Sequence, residues 1–178
     1  PPVSEEQMWQ RMETFLRAAI PAAERAGVRM ALHPDDPPIP EPLGGVAQIC
    51  STLAQFRRTL FEIAPSHSNA MLFCQGCMTE LLGPEGIYDA IAEMASADKI
   101  AWVHFRNVRV EEPYYRYTET FVDEGDCDIV ACMRAFAEVG YEGGIDPDHT
   151  PGLIDDAHSS MGWAYAIGQL RALRLATY

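Results

Sequence analysis

Four short apolar runs in this chain each end in a side chain that can bind a metal ion. The runs end at His33, Cys74, His104 and Asp148, which are 30 to 44 residues apart along the chain. After His33 come prolines, which lack the N–H that a continuing strand would need, so the first run reads as a buried strand that stops at this point. The carboxyl ends of parallel strands meet at one face of an α/β fold. The four side chains are therefore expected to lie side by side.

The segments between these runs show the spacing of apolar residues that is typical of helices. A first helix is predicted to begin after the N-cap Ser4 and to end near Ala26, before Gly27. Further helices are predicted at 48–63, 87–97, 128–139 and 164–175, with loops at 34–42, around 83–86, at 111–125 and at 155–161. A helix followed by four strand–helix units predicts an α/β fold with a parallel sheet, in a single domain over residues 1–178.

Composition narrows the class of partner. The formal net charge is −13 and the pI is near 4.6, which argues against binding to nucleic acid or to an anionic membrane surface. No apolar run reaches the roughly 18 residues that a membrane span needs. The five cysteines are too few for a secreted disulfide scaffold, so reduced thiols and a cytoplasmic location are expected.

Two imidazoles, a thiolate and a carboxylate form a mixed set of ligands that suits Mn²⁺, Fe²⁺ or Zn²⁺. The alternative for each histidine is an ordinary structural side chain that packs with a partner. Cys74 and Cys77 also form a C-x-x-C motif, which could be a redox pair. A redox pair leaves the matching positions of His33, His104 and Asp148 unexplained, so the ligand role is preferred and Cys77 is taken as a small buried residue.

The four strand ends belong to longer motifs. These are the runs His33-Pro34-Asp35-Asp36-Pro37-Pro38, Phe73-Cys74-Gln75-Gly76, His104-Phe105-Arg106-Asn107-Val108 and Pro147-Asp148-His149, with a closing helix over 162–173. Together these motifs resemble the mannonate dehydratase family. The resemblance implies a TIM-type (β/α)₈ barrel, of which this chain would cover the last four βα units as a partial barrel. It also implies an Mn²⁺- or Fe²⁺-dependent hydro-lyase that dehydrates D-mannonate to 2-dehydro-3-deoxy-D-gluconate in glucuronate catabolism.

The same resemblance assigns roles to individual residues. The metal ligands would be His33, Cys74, His104 and Asp148, and the catalytic histidine would be His149. The family's tyrosine near the start of the last helix falls on Trp163 here, so Tyr165 is the nearest candidate for the acid. Asp146 stands where a basic residue is common among relatives. Arg106 is expected to grip the substrate carboxylate, or else to form an ion pair at the rim, and Asn107 is grouped with it as substrate-binding.

Two other functions stay open at this point. One is a metal-dependent sugar isomerase or epimerase of the xylose-isomerase type, which would conserve the mass of its substrate. The other is an inactive half-barrel that binds metal but lacks the substrate contacts of the remaining strands. A half-barrel has open edges and an uncovered apolar face. We therefore expect a homo-oligomer, or pairing with an N-terminal half-barrel.

Overall fold

A computed structural model describes residues 2–178 of the chain. Its elements in chain order are helix α1 (Glu5–Ala26), strand β1 (Met30–Leu32), helix α2 (Leu53–Arg57) with a π-helical continuation (Arg58–Ile63), strand β2 (Asn69–Cys74), helices α3 (Gln75–Leu82) and α4 (Ile87–Ser96), strands β3 (Ile100–His104), β4 (Asn107–Glu111) and β5 (Arg116–Thr120), helix α5 (Ile129–Glu138), strand β6 (Gly144–Asp146) and helix α6 (Ser160–Thr177). Four strands form one sheet in the order β1-β2-β3-β6, and all its neighbouring pairs are parallel, as the sequence predicts.

The two faces of this sheet have different surroundings. Side chains on one face join the hydrophobic core with the helices; these are Leu32, Met71, Phe73, Val103 and Ile145. On the opposite face, Trp102 pairs in register with Leu72 and with Gly144, and its side chain is 43% exposed. In the part of the chain that the structure describes, the helices pack on the core face, Trp102 projects from the other face, and the strands β1 and β6 are the two edges of the sheet.

The carboxyl ends of the four strands lie at the same edge of the sheet. Cys74 pairs with His104, and His104 pairs with Asp146. His33 follows directly after β1, which is hydrogen-bonded to β2. The parallel register thus brings together the polar residues that follow the four apolar runs.

The predicted caps of α1 are present, and α5 also begins at a capping side chain. Ser4 and Gln7 form a reciprocal capping box at the start of α1, and Gly27 ends the helix with a left-handed φ of 66°. Asp128 accepts hydrogen bonds from the backbone N–H groups of Val130 and Ala131 at the start of α5. Among residues 2–178, no helix combines the length and the apolar character that a bilayer crossing requires.

The segment 111–125, predicted as a loop, is largely part of a β-hairpin. Strands β4 and β5 pair antiparallel from Asn107 with Thr120 to Glu111 with Arg116. The prediction of an aromatic loop rested on Tyr114, Tyr115, Tyr117 and Phe121, of which the first two lie in the turn between the strands. The prediction was wrong because residues 116–120 mix polar and aromatic side chains, so their extended pairing leaves no clear apolar period.

The helix predictions also differ from the structure elsewhere, and the last helix, predicted over 164–175, already begins at Ser160 and continues to Thr177. The helix predicted over 48–63 begins only at Leu53, because the Thr52 side chain caps the backbone N–H of Gln55 and fixes the start there. Helix α3 follows β2 without a gap and was missed, since Gly76 lies in its first turn and glycine lowers helix propensity. Helix α3 bears on the metal site because its N-cap residue is the ligand candidate Cys74.

Candidate metal centre

Three of the four predicted metal ligands form a tight group. One ligand atom from each of His33, Cys74 and His104 lies within 4.8 Å of the other two. The two imidazole rings have centroids 5.5 Å apart, and the Cys74 side chain between the strands is fully buried. Side chains that are distant in sequence thus converge at the end of the sheet.

The hydrogen bond of His33 leaves its second ring nitrogen available as a ligand. Nδ1 of His33 lies 2.7 Å from the carbonyl oxygen of Pro34. Because a carbonyl oxygen only accepts, Nδ1 carries a hydrogen, and in the neutral imidazole the lone pair is therefore on Nε2. A backbone partner of this kind is the usual way in which proteins orient a metal-binding histidine.

His104 has a buried ring nitrogen without a hydrogen-bond partner. This atom is Nδ1, and it lies 3.4 Å from the carboxylate oxygen Oδ2 of Asp148. Buried polar atoms are nearly always satisfied, so an orphaned nitrogen beside a thiol and a carboxylate calls for a further partner. A divalent metal ion would satisfy it.

The fourth candidate, Asp148, lies at the side of this group. Its backbone adopts a left-handed φ of 61°, and its N–H donates to Oδ1 of Asp146 at 2.7 Å. Asp146 also accepts a hydrogen bond from the indole N–H of Trp102. Strained backbone of this kind is often found at functional sites, and here the contacts of Asp146 hold the carboxylate of Asp148 towards His104.

The electrostatics of the group favour a thiolate at Cys74. Burial opposes ionisation, yet hydrogen bonds from Cys77 and from the two histidines hold the pKa of the Cys74 thiol well below its ordinary value. The hydrogen bond with Cys74 in turn raises the pKa of His33. For His104, burial acts in the opposite direction, but the contact with Cys74 and the charge of Asp148 raise its pKa overall. A thiolate and two imidazoles with a nearby carboxylate fit a divalent transition metal.

Arg106 lies beneath this group in a cluster of carboxylates and is only 2% exposed. Its guanidinium pairs with Asp36 at 2.8 Å and with Glu80 and Glu119 at 3.0 Å each, and its Nε lies 3.7 Å from Asp148. A side chain at Gly76 would clash with this guanidinium. The geometry matches the ion-pair alternative better than a grip on the substrate carboxylate, because the donors of Arg106 already face protein acids.

A second group of possible ligands lies around the same guanidinium. Ligand atoms of Asp36, Cys77 and Glu80 lie within 4.8 Å of one another. Arg106 contacts all three, at 2.8 Å, 3.1 Å and 3.0 Å respectively. The cation of this second group is therefore the arginine itself, and we do not consider the group a metal site.

The geometry gives Asn107 no capacity to contact a substrate. Its amide nitrogen donates to the carbonyl oxygens of Val122 and Cys127, and its amide oxygen accepts from the N–H groups of Val108 and Cys127. The residue is fully buried. These four bonds use the whole hydrogen-bonding capacity of the amide, so the side chain anchors the base of the hairpin.

His149 adjoins the group of candidate metal ligands. Its Nε2 lies 3.4 Å from Oδ2 of Asp148 and 3.8 Å from Oε1 of Glu119, and its side chain is 47% exposed. The imidazole is thus close to two carboxylates and open to solvent, which suits a group that exchanges protons with a ligand.

The contacts of Tyr165 lead away from His149. Its hydroxyl donates to Asp123 at 2.8 Å, and its ring packs edge-on against Phe121. A different tyrosine contacts the arginine cluster, since the hydroxyl of Tyr117 donates to Asp36 at 2.7 Å. Burial and this hydrogen bond raise the pKa of Tyr117.

Sequence reasoning missed Glu80 and Glu119 as neighbours of the site. Glu80 lies on α3, two turns after Cys74, and the spacing C-x₅-E after the strand was a usable signal once a helix is assumed there. Tyr117 and Glu119 alternate along β5 and so share one face of the hairpin. That signal was hidden because the segment was read as a loop.

Comparison with known proteins identifies the family. The sequence model of the D-mannonate dehydratase (UxuA) family matches residues 2–177. This chain belongs to the mannonate dehydratase family. Mannonate dehydratase 1 of Bacillus licheniformis is 34% identical over 155 residues, which are 86% of this chain and 41% of that protein.

Solved structures place this member of the mannonate dehydratase family in a wider fold group. The crystal structure of mannonate dehydratase from Streptococcus suis serotype 2 superposes with a TM-score of 0.85 at 27% identity, covering 98% of this chain and 50% of that one. A xylose isomerase domain protein from Alicyclobacillus acidocaldarius superposes with a TM-score of 0.69 at 15% identity, covering 98% of this chain and 61% of that one, a likeness of fold alone. The fold is therefore α/β of the TIM-barrel type. The chain spans about two fifths of the length of the curated relatives that it matches.

Proposed function

We propose that this chain carries the metal-binding part of a mannonate dehydratase active site. The proposed reaction is the loss of water from D-mannonate to give 2-dehydro-3-deoxy-D-gluconate, as in glucuronate breakdown. The observation that carries the proposal is the convergence of His33, Cys74 and His104, with Asp148 and His149 beside them. The family match over residues 2–177 supports the choice of substrate.

The proposed cofactor is one divalent metal ion, Mn²⁺ or Fe²⁺. His33, Cys74, His104 and Asp148 would hold it. When bound, the ion would act as a Lewis acid that stabilises negative charge on the substrate carboxylate. The unpartnered Nδ1 of His104 and the lowered pKa of Cys74 support this assignment.

His149 is the proposed base. The reaction removes the proton at C2 and the hydroxyl group at C3, which leaves as water after taking up a proton. His149 would accept the C2 proton at Nε2, and the carboxylates of Asp148 and Glu119 would stabilise the imidazolium that forms. Tyr165 remains the proposed acid for the departing hydroxyl, with Tyr117 as a second tyrosine to test.

The proposal for the whole fold is that residues 1–178 form one domain that corresponds to the last four βα units of a (β/α)₈ barrel. The four parallel strands, the helices on the core face and the two edge strands support it. We propose that a complementary half-barrel, or a second copy of the chain, covers the open face. Five free and buried cysteines fit a reducing compartment, and the proposed location is the cytoplasm.

Product analysis tests the proposed reaction. The Mn²⁺-loaded protein is incubated with D-mannonate, alone and together with the part of the Bacillus licheniformis relative that the chain does not match. The expected product is lighter than the substrate by one water and carries a keto group. A product of unchanged mass would favour an isomerase instead.

His149→Ala tests the assigned base. We expect this variant to bind the metal normally and to lose dehydration, because the side chain is assigned to proton transfer rather than to coordination. His158→Ala, at an exposed loop position, is the matched control. Turnover of His149→Ala near that of the control would remove His149 from the mechanism.

A further inference from the structure

Trp102 is an exposed aromatic residue to which the proposed reaction gives no role. It lies in β3, two residues before the ligand candidate His104, so both side chains are on the same face of the sheet. Its indole N–H donates a hydrogen bond to Oδ2 of Asp146, at the end of β6. Trp102 is thus bonded to a carboxylate that adjoins the proposed metal centre.

The register of β3 with β6 places the indole within reach of this carboxylate. Trp102 pairs with Gly144, and Asp146 is the next residue of β6 on the same face. A side chain at Gly144 would clash with the indole ring. Because glycine has no side chain, the ring lies against β6 and its N–H reaches Asp146.

The other oxygen of Asp146 acts on the backbone of the ligand candidate Asp148. Oδ1 of Asp146 accepts a hydrogen bond from the N–H of Asp148 at 2.7 Å, which closes a turn of the kind that aspartate often forms with the second residue after it. Asp148 has a left-handed φ of 61°, which is unfavourable for residues other than glycine. The turn holds this conformation, in which Oδ2 of Asp148 lies 3.4 Å from Nδ1 of His104.

We infer that Trp102 is a positioning residue for the proposed metal ligand Asp148, because its indole N–H fixes the carboxylate of Asp146, which in turn holds the ligand's backbone in place. This inference rests on the proposed metal centre. Each oxygen of Asp146 accepts one of the two N–H groups, so the carboxylate cannot rotate without losing a bond. Partners behind a metal ligand orient it, and loss of one typically lowers metal affinity by about 10- to 100-fold.

The test uses Co²⁺ alone as the probe, because the visible absorption of protein-bound Co²⁺ reports on the number and geometry of its ligands. Trp102→Phe keeps an aromatic ring and removes the indole N–H. We expect this variant to bind Co²⁺ about 10-fold more weakly than the wild type and to show an altered spectrum. Asp146→Ala removes both bonds and should lower the affinity by up to about 100-fold. Asp146→Asn keeps an oxygen for the N–H of Asp148 and should recover part of this loss.

A double substitution tests whether the effect of Trp102 passes through Asp148. Asp148→Ala removes one proposed ligand and leaves the other three, so this variant should still bind Co²⁺, but weakly. Adding Trp102→Phe to Asp148→Ala should cause no further loss, since the ligand that Trp102 positions is already absent. Equal losses from Trp102→Phe in the wild-type and Asp148→Ala backgrounds would overturn the inference.

Trp9→Phe is the matched control. The indole N–H of Trp9 also donates to a carboxylate, that of Glu5 at 3.0 Å, but both residues lie on α1. The control should lose stability and keep the wild-type Co²⁺ affinity and spectrum. A Trp102→Phe protein that is less stable yet binds Co²⁺ as the control does would show that the bond to Asp146 serves the fold alone.

Two further results are decisive. If Trp102→Phe does not fold, Trp102→Met supplies an adaptable apolar side chain without a donor, and wild-type Co²⁺ binding in that variant overturns the inference. Wild-type protein that binds no Co²⁺ refutes the proposed metal centre itself, a failure that the wild-type titration alone identifies.

Discussion

His104 combines three of the properties that define the site. It ends β3, it belongs to the tight ligand group, and its buried Nδ1 has no hydrogen-bond partner. We expect His104→Ala to lose most of the affinity for Mn²⁺, because one ligand is removed and the others stay in place. Metal analysis after equilibrium dialysis checks this expectation. His67→Ala, at an exposed histidine, serves as control; equal metal content in both variants would contradict the assigned ligands.

The pH dependence of the folding stability tests the carboxylate cluster, because Glu80 belongs to it. Burial raises the pKa of Glu80 to about 8, although the charge of Arg106 acts against the shift. The acid form is therefore favoured in the folded protein, and its contribution to stability is full below the unfolded pKa near 4.5 and is lost as the pH rises through about 8.

Glu80→Gln should remove this part of the pH dependence. The amide has nearly the same shape as the carboxylic acid and does not ionise, so the variant should gain stability relative to the wild type between pH 5 and pH 9. Thermal unfolding of the metal-free proteins over this range measures the effect. Glu138→Gln, on the exposed side of α5, is the control. Parallel curves for wild type and Glu80→Gln would show that burial of Glu80 does not govern its ionisation.

The hairpin β4–β5 is one of the elements that sequence reasoning missed, and its base is closely packed. A Cβ atom at Gly125 would clash with the side chain of Asn107 and with the backbone N–H of Val108. Gly125→Ala should therefore lower the free energy of unfolding by about 1–3 kcal/mol. Gly168→Ala, in α6, meets no atom within 4 Å and should stabilise the protein by about 0.5–1 kcal/mol. Chemical denaturation measures both, and a neutral Gly125→Ala would contradict the packing described.

What could be predicted from the sequence depended on how local the signal was. Short local patterns in the sequence are enough to identify the capping residues Ser4 and Asp128. The same is true of the strand ends at Cys74 and His104. Arg106 does not, because its partners come from the loop after β1, from α3 and from β5. A buried glutamate on a helix looks the same in sequence as an exposed one, so the carboxylate cluster required the tertiary structure.

At the scale of the whole molecule, the face of the sheet that carries Trp102 is the surface most prone to association. Strands β1 and β6 have unpaired edges, and Trp102 projects from this face. Exposed apolar surface beside open strand edges favours association. We expect the purified 178-residue chain to form dimers or larger species at micromolar concentration, which light scattering coupled to gel filtration will detect.

Substitution of Trp102 tests whether this face causes the association. Trp102→Gln should shift the equilibrium towards the monomer, whereas Phe15→Gln, which removes an exposed aromatic residue from α1, should not. A stable wild-type monomer that unfolds cooperatively would show that the half-barrel assignment is mistaken.

The fixed register of the parallel strands also bears on how such a site can change during evolution. Cys74, His104 and Asp146 are held level by backbone hydrogen bonds, so the connections between strands can lengthen or shorten without moving them. An insertion of one residue inside a strand has the opposite effect, since it turns every later side chain to the other face. Diversity of function in this architecture should therefore accumulate in the connections, as with the hairpin between β3 and β6 that brings Glu119 to His149.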